Sequence, residues 1–253
     1  MNNILNLNQI KNMRECGKIL ISAMKEVANA VKPGVSTKEL DEIAEKLITE
    51  QGAIPSFLNY TVAGVGKYPS SLCVSINSEI VHGIPSTHRV LKEGDIVSLD
   101  LGAIFKGICT DMAVTLPVGK VTEEASKLIR VTKECLDLGI KASIPGNNIG
   151  SIGEAVQKHA ELNGFGVVRD FVGHGIGEMP HMDPPIPNYG NKKEGPEIVE
   201  GMALAIEPMV TAGDYKTKID PNGWTVATKD GSLSAHFEHT IVINDGKPEI
   251  MTA

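Results

Sequence analysis

The sequence predicts a mixed α+β fold built from two related halves. Apolar residues at helical spacing indicate two pairs of helices, and alternating apolar runs indicate several strands. Proline–glycine pairs that end the first helix of each pair lie 112 positions apart, at residues 33–34 and 145–146. The features that follow keep the same order, which is typical of an internal duplication. We expect a single domain over residues 1–253, with pseudo-repeats at about 9–118 and 122–253.

The helical segments have clear ends. Ser36 and Glu39 form a capping-box pattern at the start of the second helix, and Gly52 follows its end. In the later pair, Gly164 follows the last helix in the same way. The predicted helices span about residues 9–31, 36–52, 122–143 and 149–163.

Each half then carries an acid on an apolar strand. A His-Gly-Ile triplet, at residues 82–84 and 174–176, precedes a Glu-Gly turn, and an acid lies six residues after that glycine. These acids are Asp100 and Glu207. Because each ends an alternating apolar run, we expect both to lie on strands.

Two further strand-borne acids follow from the same patterns. Residues 95–116 predict an antiparallel hairpin turned at residues 105–107, which would bring Asp100 and Asp111 nearly opposite each other. Residues 232–243 predict one strand with Ser234, His236 and Glu238 on one face. The Gly- and Pro-rich stretch at residues 180–196 predicts one long functional loop.

Composition excludes several classes of function. The net charge is −7 and there is no run of Lys or Arg, which argues against a specific nucleic-acid partner. The first 16 residues lack the basic and apolar parts of a secretory signal, and no apolar stretch approaches the ~20 residues of a membrane span. We therefore expect a cytoplasmic protein without a membrane partner.

The four acids need a common explanation. A carboxylate that faces a core must be paired, protonated or ligated. Carboxylates about 4 Å apart repel by ~4 kcal/mol per pair at an effective dielectric of 20. Any one of Asp100, Asp111, Glu207 and Glu238 could be a solvated or lysine-paired carboxylate, but four embedded in apolar strands favour a shared site. Two divalent cations would balance their charge. One imidazole, that of His174, would complete this ligand set, and His174 lies between two glycines. A set of several carboxylate oxygens and one imidazole suits Mn, Fe, Co or Zn.

These segments resemble a known family. The matching stretches are CVSINSEIVHGIP, GDIVSLDLGAIFKGICTDMAVT, GHGIGEMPHMDPPIPNYG, EGMALAIEPM and GWTVATKDGSLSAHFEHTIVI, and the similarity covers essentially the whole chain. They resemble the type I methionine aminopeptidases of the pita-bread creatinase and aminopeptidase superfamily. The resemblance implies a pita-bread fold, in which duplicated helix-helix-strand halves surround a curved antiparallel sheet about a pseudo-twofold axis.

The resemblance also implies a ligand set. Asp100 would chelate one metal, His174 and Glu207 would hold the other, and Asp111 and Glu238 would bridge them. Both ions would be divalent. A structural monovalent cation, held by backbone carbonyls near Asn77 and Ser234, is a further implication.

The implied reaction is removal of the N-terminal methionine from peptides and nascent proteins by a metal-bridged hydroxide. Glu207 would shuttle the proton, and His82 and His181 would contact the scissile peptide and the developing oxyanion. The methionine pocket would be lined by Tyr68, Cys73 and Trp224. The implied partners are peptide and nascent-protein N-termini, close to the ribosome, and the implied state is a monomer.

Some positions depart from the family's usual residues. They are Val62, Val65, Pro180, Met182 and His236. Val62, Val65 and Pro180 bear on substrate preference and leave the reaction unchanged. His236 stands where glutamine is common, and because it shares a predicted strand face with Glu238, we expect it to support that ligand.

Two alternatives remain at this point. One is an Xaa-Pro aminopeptidase or dipeptidase of the same superfamily, but such members usually carry an additional N-terminal domain, whereas here the repeat begins within the first 40 residues. The other is a noncatalytic peptide-binding protein with the pita-bread fold. Such proteins tend to lose metal ligands, and all five are present here.

Overall fold

A computed structural model describes residues 3–253, which contain four α-helices. The helices are α1 (Leu7–Ala30), α2 (Thr37–Glu50), α3 (Glu123–Ala142) and α4 (Gly150–Leu162). The four predicted helices are confirmed to within about two residues at each end, and the capping box of Ser36 and Glu39 is present. Within this described part, no helix is both long enough and apolar enough to cross a bilayer.

Short strands make up most of the remaining regular structure. In the first half they are β1 (Ile54–Pro55), β2 (Thr61–Val62), β3 (Gly66–Lys67), β4 (Leu72–Ile76), β5 (Glu79–Val81), β6 (Ile96–Phe105) and β7 (Ile108–Pro117). In the second half they are β8 (Gly166–Val167), β9 (Gly173–Gly175), β10 (Met182–Ile186), β11 (Ala203–Ile206), β12 (Met209–Thr211), β13 (Thr217–Ile219), β14 (Val226–Thr228), β15 (Ser234–His236), β16 (Glu238–Asn244) and β17 (Lys247–Ile250).

One curled antiparallel sheet organises the molecule. Its strand order is β1-β6-β7-β16-β11-β9-β10, with β4 also paired to β6 and β17 to β16. One face of this sheet carries apolar side chains that are buried in cores shared with the helices. These residues are Leu99, Leu101, Met112, Leu204 and Ile241. Because side chains alternate along a strand, the intervening residues line the opposite face. The predicted mixed α+β fold is confirmed.

The hairpin prediction is also confirmed. Strands β6 and β7 pair over their whole length around a two-residue turn at Lys106 and Gly107. The register places Asp100 opposite Ala113 and Asp111 opposite Gly102. The two acids are therefore diagonal neighbours on one face of the hairpin, as the sequence indicated.

The single strand predicted over residues 232–243 is wrong. The chain leaves one sheet and enters another at Phe237, so β15 pairs with β12 while β16 joins the main sheet. The Thr115 hydroxyl explains the break, because it accepts from the His236 backbone N–H at 2.8 Å and donates to the His236 carbonyl at 2.7 Å. This side-chain bridge replaces a backbone ladder at the crossing point.

The stretch at residues 180–196 is likewise not one uninterrupted loop. Strand β10 lies within it and pairs with β9, with an irregular register between Met182 and Pro185. The sequence MDPPI lacks apolar alternation, which is why the pattern did not predict a strand. Prolines are tolerated there because β10 is the last strand of the sheet.

Helix α2 is fixed to the sheet by a buried acid. Asp41 is fully buried, and its Oδ1 accepts from the backbone N–H groups of Ser71 at 2.8 Å and Leu72 at 3.0 Å. Its Oδ2 accepts from the Lys38 ammonium at 2.7 Å. These contacts hold the start of β4, which carries Cys73 into the candidate site.

We expect Asp41→Ala to lower the free energy of unfolding by about 3 kcal/mol, because two buried N–H groups would lose their acceptor. Urea denaturation followed by circular dichroism would measure this. The variant Lys38→Ala removes only the partly exposed lysine and leaves both backbone N–H donors to Asp41 in place, so its loss should be clearly smaller. Equal losses in the two variants would contradict this account of α2.

Candidate metal centre

Three of the predicted acids lie in adjacent positions on the sheet face opposite the helices. Asp100 on β6 is opposite Ala113 on β7, and Ala113 is in turn opposite Glu238 on β16. Asp111 lies one pleat away on the same face, opposite Gly102. The space above Gly102 is occupied by Ser56 and Phe57, since a Cβ atom there would lie 2.1 Å from the Ser56 hydroxyl oxygen.

Two more predicted residues approach from the neighbouring strands. His174 on β9 is opposite Ala205 on β11, and Glu207 follows two residues later on the same face. The Nε2 atom of His174 lies 3.5 Å from Oε1 of Glu207. Its Nδ1 lies 3.0 Å from the Gly175 carbonyl, which is consistent with Nδ1 as the donor and Nε2 as the free ligand atom.

The glycines beside His174 are required by close packing. A Cβ atom on Gly173 would lie 2.4 Å from the Ala205 carbonyl oxygen, and one on Gly175 would lie 2.1 Å from the Asp183 carbonyl oxygen. Strand β9 is therefore held between β11 and β10 at a distance that only glycine allows.

Burial and mutual charge perturb the carboxyl groups strongly. Burial raises the pKa of Asp100 to about 7. Burial, together with the neighbouring carboxylates, raises the pKa of Asp111, Glu207 and Glu238 well above their usual range. Without a cation, this cluster would be only partly ionised near neutral pH.

The donor atoms fit a bound cation. Oδ1 of Asp100 and Oε1 of Glu238 are buried and have no hydrogen-bond partner within residues 3–253. Burial lowers the pKa of His174 to about 3, so its imidazole is neutral and can offer a lone pair. In the described part of the chain, two sets of three residues each bring their potential ligand atoms within 4.8 Å of one another. One set is Asp111, His174 and Glu238, and the other is Glu207, His236 and Glu238.

A cavity of about 360 Å³ opens onto this cluster. Its walls include all the residues predicted for substrate contact: Tyr68, Cys73, His82, His181 and Trp224. The Tyr68 and Trp224 rings meet edge to face with centroids 5.2 Å apart, and the Tyr68 hydroxyl donates to the Gly83 carbonyl at 2.9 Å. Tyr68 and Cys73 are almost fully buried and pack with Phe57, so this wall is largely apolar.

The two predicted catalytic histidines occupy different places. His82 has a left-handed backbone, with φ 59°, and its ring meets those of Phe171 and Trp224 edge to face. Burial and the nearby His181 lower the pKa of His82 to about 4. His181 lies at the exposed rim, with its ring centroid 4.4 Å from that of His174.

Sequence reasoning missed several cavity residues. They are Phe57, Tyr60, Val81, Phe171, Val172 and Met209. Tyr60 is the most informative, because its hydroxyl lies 2.9 Å from Nδ1 of His181. One signal was available for Phe57: a Cβ atom on Gly102 would lie 3.0 Å from its ring, and a glycine inside a strand often marks such a close approach.

The remaining predicted positions vary in their relation to the cluster. Val62 lines the cavity, whereas Val65 is exposed on the neighbouring short strand pair. The Ser234 backbone N–H donates to the Asn77 carbonyl at 2.8 Å, so the two residues expected near a monovalent cation are in contact. That cation stays a prediction.

Comparisons with known proteins agree with this geometry. Residues 11–245 match metallopeptidase family M24. The chain is 50% identical to methionine aminopeptidase from Clostridium acetobutylicum, over 98% of both chains. Crystal structures of methionine aminopeptidases from Rickettsia prowazekii and Thermotoga maritima superpose with TM-scores of 0.95, at 40% and 42% identity, and cover 100% of this chain and 100% and 99% of theirs. The predicted pita-bread fold is confirmed.

Proline-specific enzymes share the fold at a greater distance. The Xaa-Pro dipeptidase from Bacillus anthracis superposes with a TM-score of 0.74 at 21% identity, and the match covers 98% of this chain but 61% of that one. Identity at this level is evidence for the fold alone.

We expect divalent Mn or Co to raise the unfolding free energy of metal-free protein by about 2.7 kcal/mol at one hundred times the dissociation constant. The raised carboxyl pKa values set the sign of the pH effect. As pH rises from the unfolded-state values near 4, ionisation destabilises the metal-free protein and favours cation binding. The increase in melting temperature should therefore be larger at pH 8 than at pH 5.5.

Differential scanning fluorimetry with and without EDTA would measure this increase. Asp111→Asn should reduce it, whereas Glu26→Gln, a change at an exposed position of α1, should leave it intact. An increase that does not depend on pH would argue against cation binding by the carboxylate cluster.

Proposed function

Because the chain belongs to metallopeptidase family M24 and, within it, to the methionine aminopeptidases, we propose that it removes the N-terminal methionine from peptides and nascent proteins at a two-metal centre. The observation that carries this proposal is the position of the acidic cluster at one end of an apolar cavity. A site with this arrangement can bind an apolar side chain and a charged amine together.

The cations would be held by the five predicted ligands. Asp100 would chelate one ion, His174 and Glu207 the other, and Asp111 and Glu238 would bridge them. Their unpartnered oxygens and the neutral imidazole support this assignment. When bound, such ions polarise a carbonyl group and activate water near neutral pH. Mn, Fe, Co and Zn all suit this donor set.

The apolar cavity accounts for selection of methionine. Tyr68, Trp224 and Cys73 form one wall, and a thioether gains contact energy of about 0.3–1.5 kcal/mol beside aromatic rings. An unbranched side chain can enter a narrow cavity that excludes a β-branched one. Val62 at the rim faces the part of the substrate that remains outside.

The charge of the cluster accounts for cleavage after the first residue. The four carboxylates attract a free α-ammonium group, which only the first residue of a peptide carries. With the side chain in the cavity and the amine at the cluster, the first peptide bond lies beside His82, His181 and Glu207.

Hydrogen-bond roles for the histidines follow from their environments. The Tyr60 hydroxyl can donate to Nδ1 of His181, which leaves Nε2–H of His181 to donate to the substrate carbonyl oxygen as negative charge develops there. His82 contacts the peptide from the aromatic side of the cavity. Glu207 accepts a proton from the attacking water and delivers it to the leaving amine.

Cellular context completes the proposal. We propose that the protein acts in the cytoplasm as a monomer on nascent chains near the ribosome, without specific nucleic-acid or membrane partners. A monovalent cation bound by carbonyls near Asn77 and Ser234 would stabilise the join between β15 and the rest of the site.

The decisive experiment compares Met-Ala-Ser with Xaa-Pro peptides. We expect the metal-reconstituted protein to release methionine from Met-Ala-Ser and to lose this activity after rigorous chelation. Preferential cleavage of Xaa-Pro peptides would move the assignment to the proline-specific enzymes. Binding of either peptide without cleavage under any metal would favour a noncatalytic protein.

We expect Glu207→Gln to lower kcat by about 10²–10⁴-fold while the protein remains folded, because proton transfer is lost and a buried charge is removed. Steady-state kinetics and circular dichroism would measure the two effects. Glu200→Gln, in the exposed turn before β11, provides a matched control that should keep full activity. A fully active Glu207→Gln enzyme would remove Glu207 from the mechanism.

A further inference from the structure

His236 is buried beside the acidic cluster without any partner for its ring. The residue is only 1% exposed, and neither Nδ1 nor Nε2 has a hydrogen-bond partner among the described residues. Its backbone, in contrast, is held on both sides by the Thr115 hydroxyl. The ring position is therefore fixed by the crossing from β15 to β16, although the ring itself is unsatisfied. Buried polar groups in this state call for a specific explanation.

The distances around the ring indicate what is missing. Nε2 of His236 lies 3.6 Å from Oε2 of Glu207 and 3.9 Å from Oε2 of Glu238. These separations are too long for hydrogen bonds. They are close to the roughly 3.3–3.6 Å that separates two ligands of one tetrahedral ion when each metal–ligand bond is about 2.0–2.2 Å.

A second imidazole has the same relation to the same carboxylate. Nε2 of His174 lies 3.5 Å from Oε1 of Glu207, so the two oxygens of Glu207 face two different imidazoles. Glu238 also takes part in both groups of potential ligands, once with His174 and once with His236. The cluster thus offers imidazole nitrogen on two sides.

We propose that His236 is a direct ligand of the metal centre, which adds a second imidazole to the five ligands already assigned. This goes beyond the supporting role expected from its strand face. The inference rests on the proposed two-metal function, and it concerns only which side chains hold the ions. A centre richer in nitrogen favours Zn, Co or Fe over Mn, since imidazole suits the former ions better.

X-ray absorption of the zinc-loaded protein provides a direct test, because it counts coordinated imidazoles. Combined with the measured zinc content, the count should be two per chain for the unmodified protein and one for His236→Gln. Competition with a chromophoric chelator should show at least about ten-fold weaker zinc binding by His236→Gln for one bound ion; a supporting residue would give the same loss, so the imidazole count decides between the two roles. We expect the same variant to lose more affinity for zinc than for manganese.

The control variant is His159→Gln. His159 lies on α4 and contacts Glu134 on α3, neither residue lines the cavity, and the loss of His159 should change neither the imidazole count nor the affinity. His174→Gln should lower the imidazole count to one, which would show that the method detects loss of an assigned ligand.

One imidazole per chain in the unmodified protein would overturn the proposal for His236 and leave the two-metal function standing. Unchanged zinc affinity in a folded His236→Gln protein would overturn it as well. If that variant does not fold, the count in the unmodified protein decides alone. Failure of the unmodified protein to bind any divalent cation would overturn both proposals.

Discussion

Repulsion among buried carboxylates is the constraint on which the arrangement of this protein depends. Four acids share one face of the main sheet: Asp100, Asp111, Glu207 and Glu238. Burial raises the pKa of all four, and the charges of neighbouring carboxylates raise it further for the last three. Two neighbouring charges about 4 Å apart cost ~4 kcal/mol at an effective dielectric of 20. Such a cluster is unfavourable for the fold alone, so the rest of the structure must hold it in place until cations offset its charge.

The opposite face of the same sheet supplies that support. Leu99, Leu101 and Met112 alternate with the acids along the hairpin and pack in the core formed with α1 and α2. Leu204 and Ile241 do the same beneath α3 and α4. Because a one-residue slip would turn the acids into this core, strand register is fixed by the apolar face. The helices therefore determine the metal centre indirectly, through the register of strands that they cover.

Local sequence patterns were sufficient for the elements whose signals lie close together in the chain. The capping box at Ser36 and the hairpin around Lys106 required only neighbouring residues, and the four acids were recognisable because each interrupts an apolar strand. The sheet change at Phe237 could not be predicted, since it depends on Thr115, 122 residues earlier. Tyr60 was missed for a similar reason: its partner His181 comes from the other half of the chain. Long-range contacts, and not propensity, determine these parts of the site.

Burial links metal binding to substrate choice. Tyr68 and Trp224 pack against each other in the wall of the cavity that also carries the carboxylates, and burial strengthens the attraction between these carboxylates and any cation, including an ammonium group. In the proposed reaction the same walls would receive the methionine side chain. A mutation that opens the cavity would therefore weaken both functions, because added water would screen the cluster while the wider space would accept other side chains. In this proposal, selectivity for the first residue and affinity for the ions would both depend on one physical property of the cavity, the burial of its lining residues.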